Sequence, residues 1–143
     1  MGSRRPTVGE HNVMGVYLNS RGAYDLAISE LQKARKMAPL SPVLHYNLGA
    51  AYFGKKELDQ ALSAVKAALD LQPQYIKARL LLGFILEAKG LYQESQRELA
   101  LVVEQDPLGR SGQEARDALV NQRSKIGARG QGRGITDGSH NRR

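Results

Sequence analysis

The chain contains no cysteine among its 143 residues. This absence excludes disulfides, thiolate metal sites and cysteine nucleophiles together, but it does not select a compartment. Residues 1–13 lack the apolar run of a signal peptide or a membrane span, so we expect a cytoplasmic location if the chain is full length. Phosphate loops, Gly-x-Ser-x-Gly elbows and His-Glu-x-x-His motifs are also missing. We therefore expect no enzyme activity, no catalytic residue, no cofactor and no metal.

What the sequence does have is an internal repeat with a period of thirty-four residues. Glycine and proline each recur at this spacing three times, and five further columns keep the same register. The seven columns are Gly15, Gly49, Gly83; Pro39, Pro73, Pro107; Ala27, Ala61, Ser95; Met14, Leu48, Leu82; Leu18, Tyr52, Leu86; Leu31, Val65, Leu99; and Ala34, Ala68, Val102. The chain is therefore an array of one supersecondary unit used three times.

Each unit is predicted to contain two helices, because its apolar residues recur at steps of three and four. Turns that contain glycine, at residues 20–22, 54–56 and 89–91, separate the two helices, since glycine adopts the left-handed conformation that ends a helix. A proline then ends the second helix of each unit. We expect Gly49 to face Ala61, because a hairpin packs closely only where neither helix carries a bulky side chain.

These residues carry a resemblance to the tetratricopeptide repeat. The motifs are Leu48-Gly49-x-x-Tyr52, Ala61-x-x-x-Val65 and Pro73, echoed by Leu82-Gly83-x-x-Leu86, Ser95-x-x-x-Leu99 and Pro107. The resemblance covers residues 8–109 and implies an all-α, right-handed α-α solenoid of three hairpins, at 8–41, 42–75 and 76–109.

One column departs from the tetratricopeptide pattern. Its large tryptophan is replaced by His11, His45 and Arg79. Because residues of one column lie about one repeat apart, the two histidines cannot share a metal ion or a proton. We expect them to be partly buried and to pack in place of the larger ring.

The two ends of the chain are predicted to differ from the repeats. Residues 111–122 are expected to form a helix that caps the third unit, with Ser111 as its N-cap. Residues 1–7 and 123–143 are predicted to be disordered extensions. These two ends carry the whole net charge of +7, so the repeats themselves are neutral.

In tetratricopeptide arrays the first helices of successive units line a concave groove, and the resemblance identifies its residues here. The predicted partner-binding residues are Asn12, Val16, Tyr46, Asn47, Ala50, Phe53, Lys77, Leu80, Leu81 and Phe84. Four further residues, Val13, Asn19, Val43 and Glu87, lie on the same face. The aromatic and leucine side chains of this set are expected to form an exposed apolar patch, which on a soluble protein marks an interaction site.

Co-chaperone members of the family hold a C-terminal carboxylate with five basic and amide residues. Asn47 and Lys77 match two of these five positions. Asn12, Val16 and Leu81 stand where the family has lysine, asparagine and arginine. The sequence therefore does not predict that carboxylate specificity.

These observations favour a non-enzymatic protein–protein interaction module that holds a partner helix or peptide in an apolar concave groove. An alternative is a self-assembling structural unit, a homo-oligomer whose groove receives part of another copy. A further alternative is RNA binding through the basic tail, whose residues 127–134 resemble RGG segments.

Overall fold

The computed structural model describes the backbone of residues 4–141 and the side chains of residues 4–127. All of its secondary structure within these limits is α-helical, which confirms the predicted fold class. The helices are α1 Val8–Ser20, α2 Tyr24–Met37, α3 Pro42–Gly54, α4 Leu58–Leu71, α5 Ile76–Ala88, α6 Tyr92–Gln105 and α7 Arg110–Asn141. Over residues 4–141, no helix combines the length and the apolar composition needed to cross a membrane.

The helix starts repeat with the period of the sequence. α1, α3, α5 and α7 begin at residues 8, 42, 76 and 110, and α2, α4 and α6 begin at residues 24, 58 and 92. In every unit, the second helix therefore begins the same number of residues after the first. α7 begins where the first helix of a fourth unit would begin.

The glycine column is where the two helices of each hairpin meet. A Cβ atom built on Gly15 would lie 2.5 Å from Leu31 Cγ, and one on Gly49 would lie 2.6 Å from Val65 Cγ2. At Gly49 the nearest atom thus belongs to Val65, whereas the predicted neighbour, Ala61, offers its carbonyl oxygen at 3.5 Å. Glycine lets the two helices pack closely in this column, because a side chain there would collide with a buried leucine or valine of the second helix.

The left-handed residue of the hairpin turn differs from the prediction in the second unit. Gly22, Lys56 and Gly90 have φ angles of 78°, 68° and 79°, and they too lie one period apart. Lys56, not Gly54, therefore adopts the left-handed conformation in unit two. Gly54 is needed for another reason, since a Cβ atom there would collide with the ring of Tyr24.

The stack of hairpins curves with its first helices inside. α1 contacts α3, α3 contacts α5 and α5 contacts α7. Among the described residues, the second helices α2, α4 and α6 make no comparable contact with one another. Because the first helices approach more closely than the second ones, they line the inner surface of the curve.

Within residues 110–127, α7 packs on the third unit through its first turns. Its buried residues are Gly112, Ala115, Ala118 and Gln122, and residues 123–127 are exposed. The helix does not end at residue 122, where a disordered tail was predicted, but continues to Asn141. Adding residues to an existing helix costs far less than starting one, and no proline interrupts this segment. The RGG-like residues lie almost wholly outside the described side chains.

The start of α7 and the segment before α1 also differ from the predictions. The Asp106 carboxylate accepts from the Gly112 amide at 3.2 Å, so Asp106 serves the first turn of α7 in place of the predicted Ser111. At α1, Thr7 Oγ1 accepts from the Glu10 amide at 3.1 Å, and Glu10 Oε1 accepts from the Thr7 amide at 3.0 Å. Arg4 also pairs with Glu10, which holds residues 4–7 of the segment predicted to be disordered against α1.

Candidate protein-binding groove

An amide pair joins the first two helices on the inner surface of the curve. Asn47 Nδ2 on α3 donates to Asn12 Oδ1 on α1 at 2.8 Å, and both side chains are partly buried. Val16 and Ala50 lie one turn further along the same two helices. The structure therefore brings these four predicted residues together on one surface.

A pair of tyrosines lies beside this surface. The rings of Tyr46 and Tyr75 have centroids 5.2 Å apart and are tilted by 37°. Burial raises the pKa of the Tyr46 hydroxyl, and the negative charge of Glu114 on α7 raises it further. Burial is also the main cause of the raised pKa of Tyr75. Both phenols are therefore neutral at physiological pH. Tyr75 and Glu114 are not among the predicted site residues because they lie outside the first helices of the three units.

The third unit does not contribute its predicted apolar patch. Leu80 and Leu81 retain only 7% and 8% of their accessible surface, so their assignment to an exposed groove is wrong. Leu80 packs in a core cluster with Ala115 and Ala118 of α7, and the half-buried Phe84 packs against the same cluster. α7 therefore covers Leu80 and Phe84, whereas Leu81 is buried in the separate core cluster that α4 and α5 form.

What remains open is a shorter groove, built mainly by α1 and α3. We call it the open groove, and its residues are Asn12, Val16, Val43, Tyr46, Asn47, Ala50 and Phe53, with the exposed Lys77 at its α5 edge. Phe53, Ala50 and Tyr46 are half-buried and rest on the core cluster formed by α4 and α5. The open groove thus has apolar walls, two amides, and no acidic side chain of its own.

Glu87, at the far end of the predicted face, is engaged by α7. The fully buried Gln122 donates from Nε2 to Glu87 Oε2 at 2.7 Å and to Ser95 Oγ at 2.8 Å. Ser95 in turn donates to the carbonyl oxygen of Gly83 at 2.8 Å. This network fixes α7 on the third unit and removes Glu87 from the open groove. The sequence signal was the position of Gln122, which continues the spacing of Ala115 and Ala118.

The column that replaces tryptophan forms polar links between helices. His11 Nδ1 lies 2.6 Å from Glu30 Oε2, and this hydrogen bond is the main reason that the pKa of Glu30 is lowered. Arg79 Nη1 lies 2.6 Å from Glu98 at the equivalent position of unit three. His45 Nε2 lies 2.9 Å from a backbone carbonyl at the end of the preceding unit. No set of three or more His, Asp or Glu side chains that could hold a metal ion occurs within residues 4–127.

Known proteins share both the sequence pattern and this architecture. Models of the tetratricopeptide repeat match residues 14–76 and 55–119. The small glutamine-rich tetratricopeptide repeat-containing protein 2 of Saccharomyces cerevisiae is 33% identical over 72 residues, which is 50% of this chain but only 21% of that protein.

Two solved structures are also similar. The first tetratricopeptide domain of Spaghetti (RPAP3), bound to the HSP90 peptide SRMEEVD, has a TM-score of 0.70 at 26% identity, covering 80% of this chain and 94% of that one. The Sgt2 tetratricopeptide domain of Aspergillus fumigatus has a TM-score of 0.78 at 23% identity, with 91% and 88% covered. With the repeated motifs, the hairpin register and these matches, the chain belongs to the tetratricopeptide repeat family.

Proposed function

We propose that this protein is a non-enzymatic interaction module that holds an extended peptide segment of a partner protein in the open groove. Tetratricopeptide repeats are in general a non-catalytic fold for binding proteins. The observation that carries the proposal is the amide pair of Asn12 and Asn47. Within the described residues their mutual hydrogen bond is the only one that their side chains make, so Asn12 Nδ2 and Asn47 Oδ1 are left for a ligand.

An extended peptide suits these groups. An asparagine amide offers donors and an acceptor that pair with the N–H and C=O of a peptide backbone. Alternate side chains of the peptide would then point towards the walls of the groove, since successive side chains of an extended segment point to opposite sides. Val16, Ala50 and Phe53 would contact apolar side chains of the peptide.

The charge of the open groove indicates whether the bound peptide needs acidic residues. The RPAP3 domain is solved with SRMEEVD, a peptide with a C-terminal aspartate and two glutamates close to it. In this chain Lys77 is the one cationic residue of the open groove, and Leu81 is buried where the carboxylate clamp of the family has arginine. We therefore propose a segment recognised by its backbone and its apolar side chains, without a requirement for an acidic C-terminus.

A library of random peptides displayed on phage tests the proposal. We expect selection on the full chain to enrich sequences with apolar residues at alternate positions. These peptides should bind Val16→Asp at least about tenfold more weakly, because the substitution places an unpaired carboxylate in an apolar contact.

Leu101→Asp is the matched control. Leu101 lies on the second helix α6 and is 39% exposed, against 45% for Val16, so the two substitutions perturb the fold to a similar extent. SRMEEVD serves as a defined probe and should bind more weakly than the enriched peptides. Equal binding of the enriched peptides to Val16→Asp and to the wild type would contradict the proposal, and so would enrichment of acidic C-termini.

A further inference from the structure

On the outer face of α1, two side chains are exposed at repeat positions that are buried in unit two. Met14 and Tyr17 are 48% and 58% exposed. Their equivalents in unit two, Leu48 and Ala51, are 1% and 0% exposed, because they pack against the second helix of the preceding unit. α1 has no such helix before it in the described chain. This face is distinct from the open groove.

At the opposite end of the stack, the described part of α7, residues 110–127, does not offer a matching surface. On α7 the glycine column is occupied by Asp117, which is exposed. The neighbouring outward residues Gln113 and Ser124 are polar and also exposed, and Val120 is the exposed apolar residue between them. A polar end of this kind terminates a solenoid and gives little reason for head-to-tail stacking of copies.

The open face of α1 is complementary to itself. Glu10, Met14, Tyr17 and Arg21 follow one another at steps of four, three and four, which places them on one stripe of the helix and its C-cap residue. If two such stripes are paired antiparallel about a two-fold axis, Met14 of one copy faces Tyr17 of the other. The same axis places Glu10 opposite Arg21 at both ends of the contact.

We propose that a second copy of this chain docks on this face, α1 against α1, to form a symmetric antiparallel dimer. The apolar centre and the two flanking ion pairs are the self-complementary arrangement that a two-fold interface requires. Arg21 is exposed and has no ion pair among the described residues, so it is available to a second copy. Glu10 has Arg4 as its partner within the chain, and that pair is itself exposed.

The size of the contact sets its strength. α1 has 13 residues, and one pair of helices of that length buries less than the roughly 1,200 Å² at which specific stable interfaces begin. The dimer is therefore weak and reversible, and it is favoured at high protein concentration. Because exposed ion pairs are screened by salt, raising the ionic strength shifts it towards the monomer.

Sedimentation velocity of the full chain over a range of concentrations tests the proposal. We expect a reversible monomer–dimer equilibrium. Tyr17→Asp should weaken it at least about tenfold, since the substitution occurs twice in a symmetric interface and places a carboxylate in its apolar centre. Val16→Asp, on the groove side of the same helix, should leave the dimer constant unchanged. The two results separate this interface from self-association through the open groove.

A charge exchange tests the antiparallel geometry. Glu10→Arg and Arg21→Glu should each weaken the dimer, because each places like charges together at both ends. A mixture of the two variants should recover association, since the heterodimer has opposite charges at both ends. Thermal melts show whether each variant is folded. If Glu10→Arg unfolds α1 by removing its N-terminal capping box, Tyr17→Asp still tests the interface. A monomer at every concentration overturns the proposal, as does a dimer unaffected by Tyr17→Asp. A mixture no stronger than either variant alone overturns the antiparallel arrangement.

Discussion

The glycine column gives the sharpest test of the hairpin structure. In Gly49→Ala, the new Cβ atom would lie 2.6 Å from Val65 Cγ2, well inside the separation of about 3.5–4.0 Å at which carbon atoms attract. Val65 is fully buried, so its side chain cannot move into solvent. One of the two helices must shift, and overpacking of this kind costs about 1–3 kcal/mol of the free energy of unfolding.

An opposing effect must be subtracted. Replacing glycine by alanine within a helix stabilises it by roughly 0.5–1 kcal/mol, because alanine loses less backbone entropy on folding. The net destabilisation expected for Gly49→Ala is therefore roughly 0–2.5 kcal/mol. If Gly49→Ala were compared with the wild type alone, a stability change near zero would not show whether overpacking is absent or is offset by the stabilising effect of alanine.

Gly9→Ala is the matched control. Gly9 is exposed on α1, and a Cβ atom there would meet nothing closer than Thr7 Oγ1 at 3.8 Å. Gly9→Ala has the stabilising effect of alanine in a helix without the collision. Gly49→Ala should therefore be less stable than Gly9→Ala by about 1–3 kcal/mol. Urea denaturation followed by far-UV circular dichroism measures the difference. Equal midpoints with equal slopes would refute the close contact between α3 and α4.

Two other predictions concern the turn of unit two and the cover of unit three. Lys56→Gly should stabilise the protein by about 1 kcal/mol in the same urea assay, because Lys56 has a φ of 68° that costs little for glycine; a loss of stability would contradict the left-handed turn. Phe84→Glu should destabilise by about 3 kcal/mol or more, since it removes a half-buried ring from the contact with α7 and puts a carboxylate there. Val16→Glu, on the open groove, should change stability by only about 0.5 kcal/mol, and similar melts for the two variants would show that α7 does not cover Phe84.

The sequence by itself determined the repeated architecture. The period of thirty-four residues gave the number of hairpins and the step between helix starts, because each repeat must form the same local structure to stack on the next. Glycine at 15, 49 and 83 was sufficient to locate the helix crossing, since a side chain there would collide with the facing helix. The column of Gly22 and Gly90 also held the signal for the left-handed Lys56, although the nearest glycine in that unit, Gly54, was the more obvious choice.

The tertiary structure alone decided which residues of that architecture are available to a partner. Asn12, Tyr46 and Leu80 occupy the same column of the repeat, yet Asn12 and Tyr46 border the open groove and Leu80 is buried. Repeat position fixes the direction of a side chain, but its exposure depends on which helix packs next to it. α7 follows the third unit and packs against its first helix, whereas no described helix precedes α1. Local periodicity is the same in both cases, so only the arrangement of neighbouring helices distinguishes core from surface.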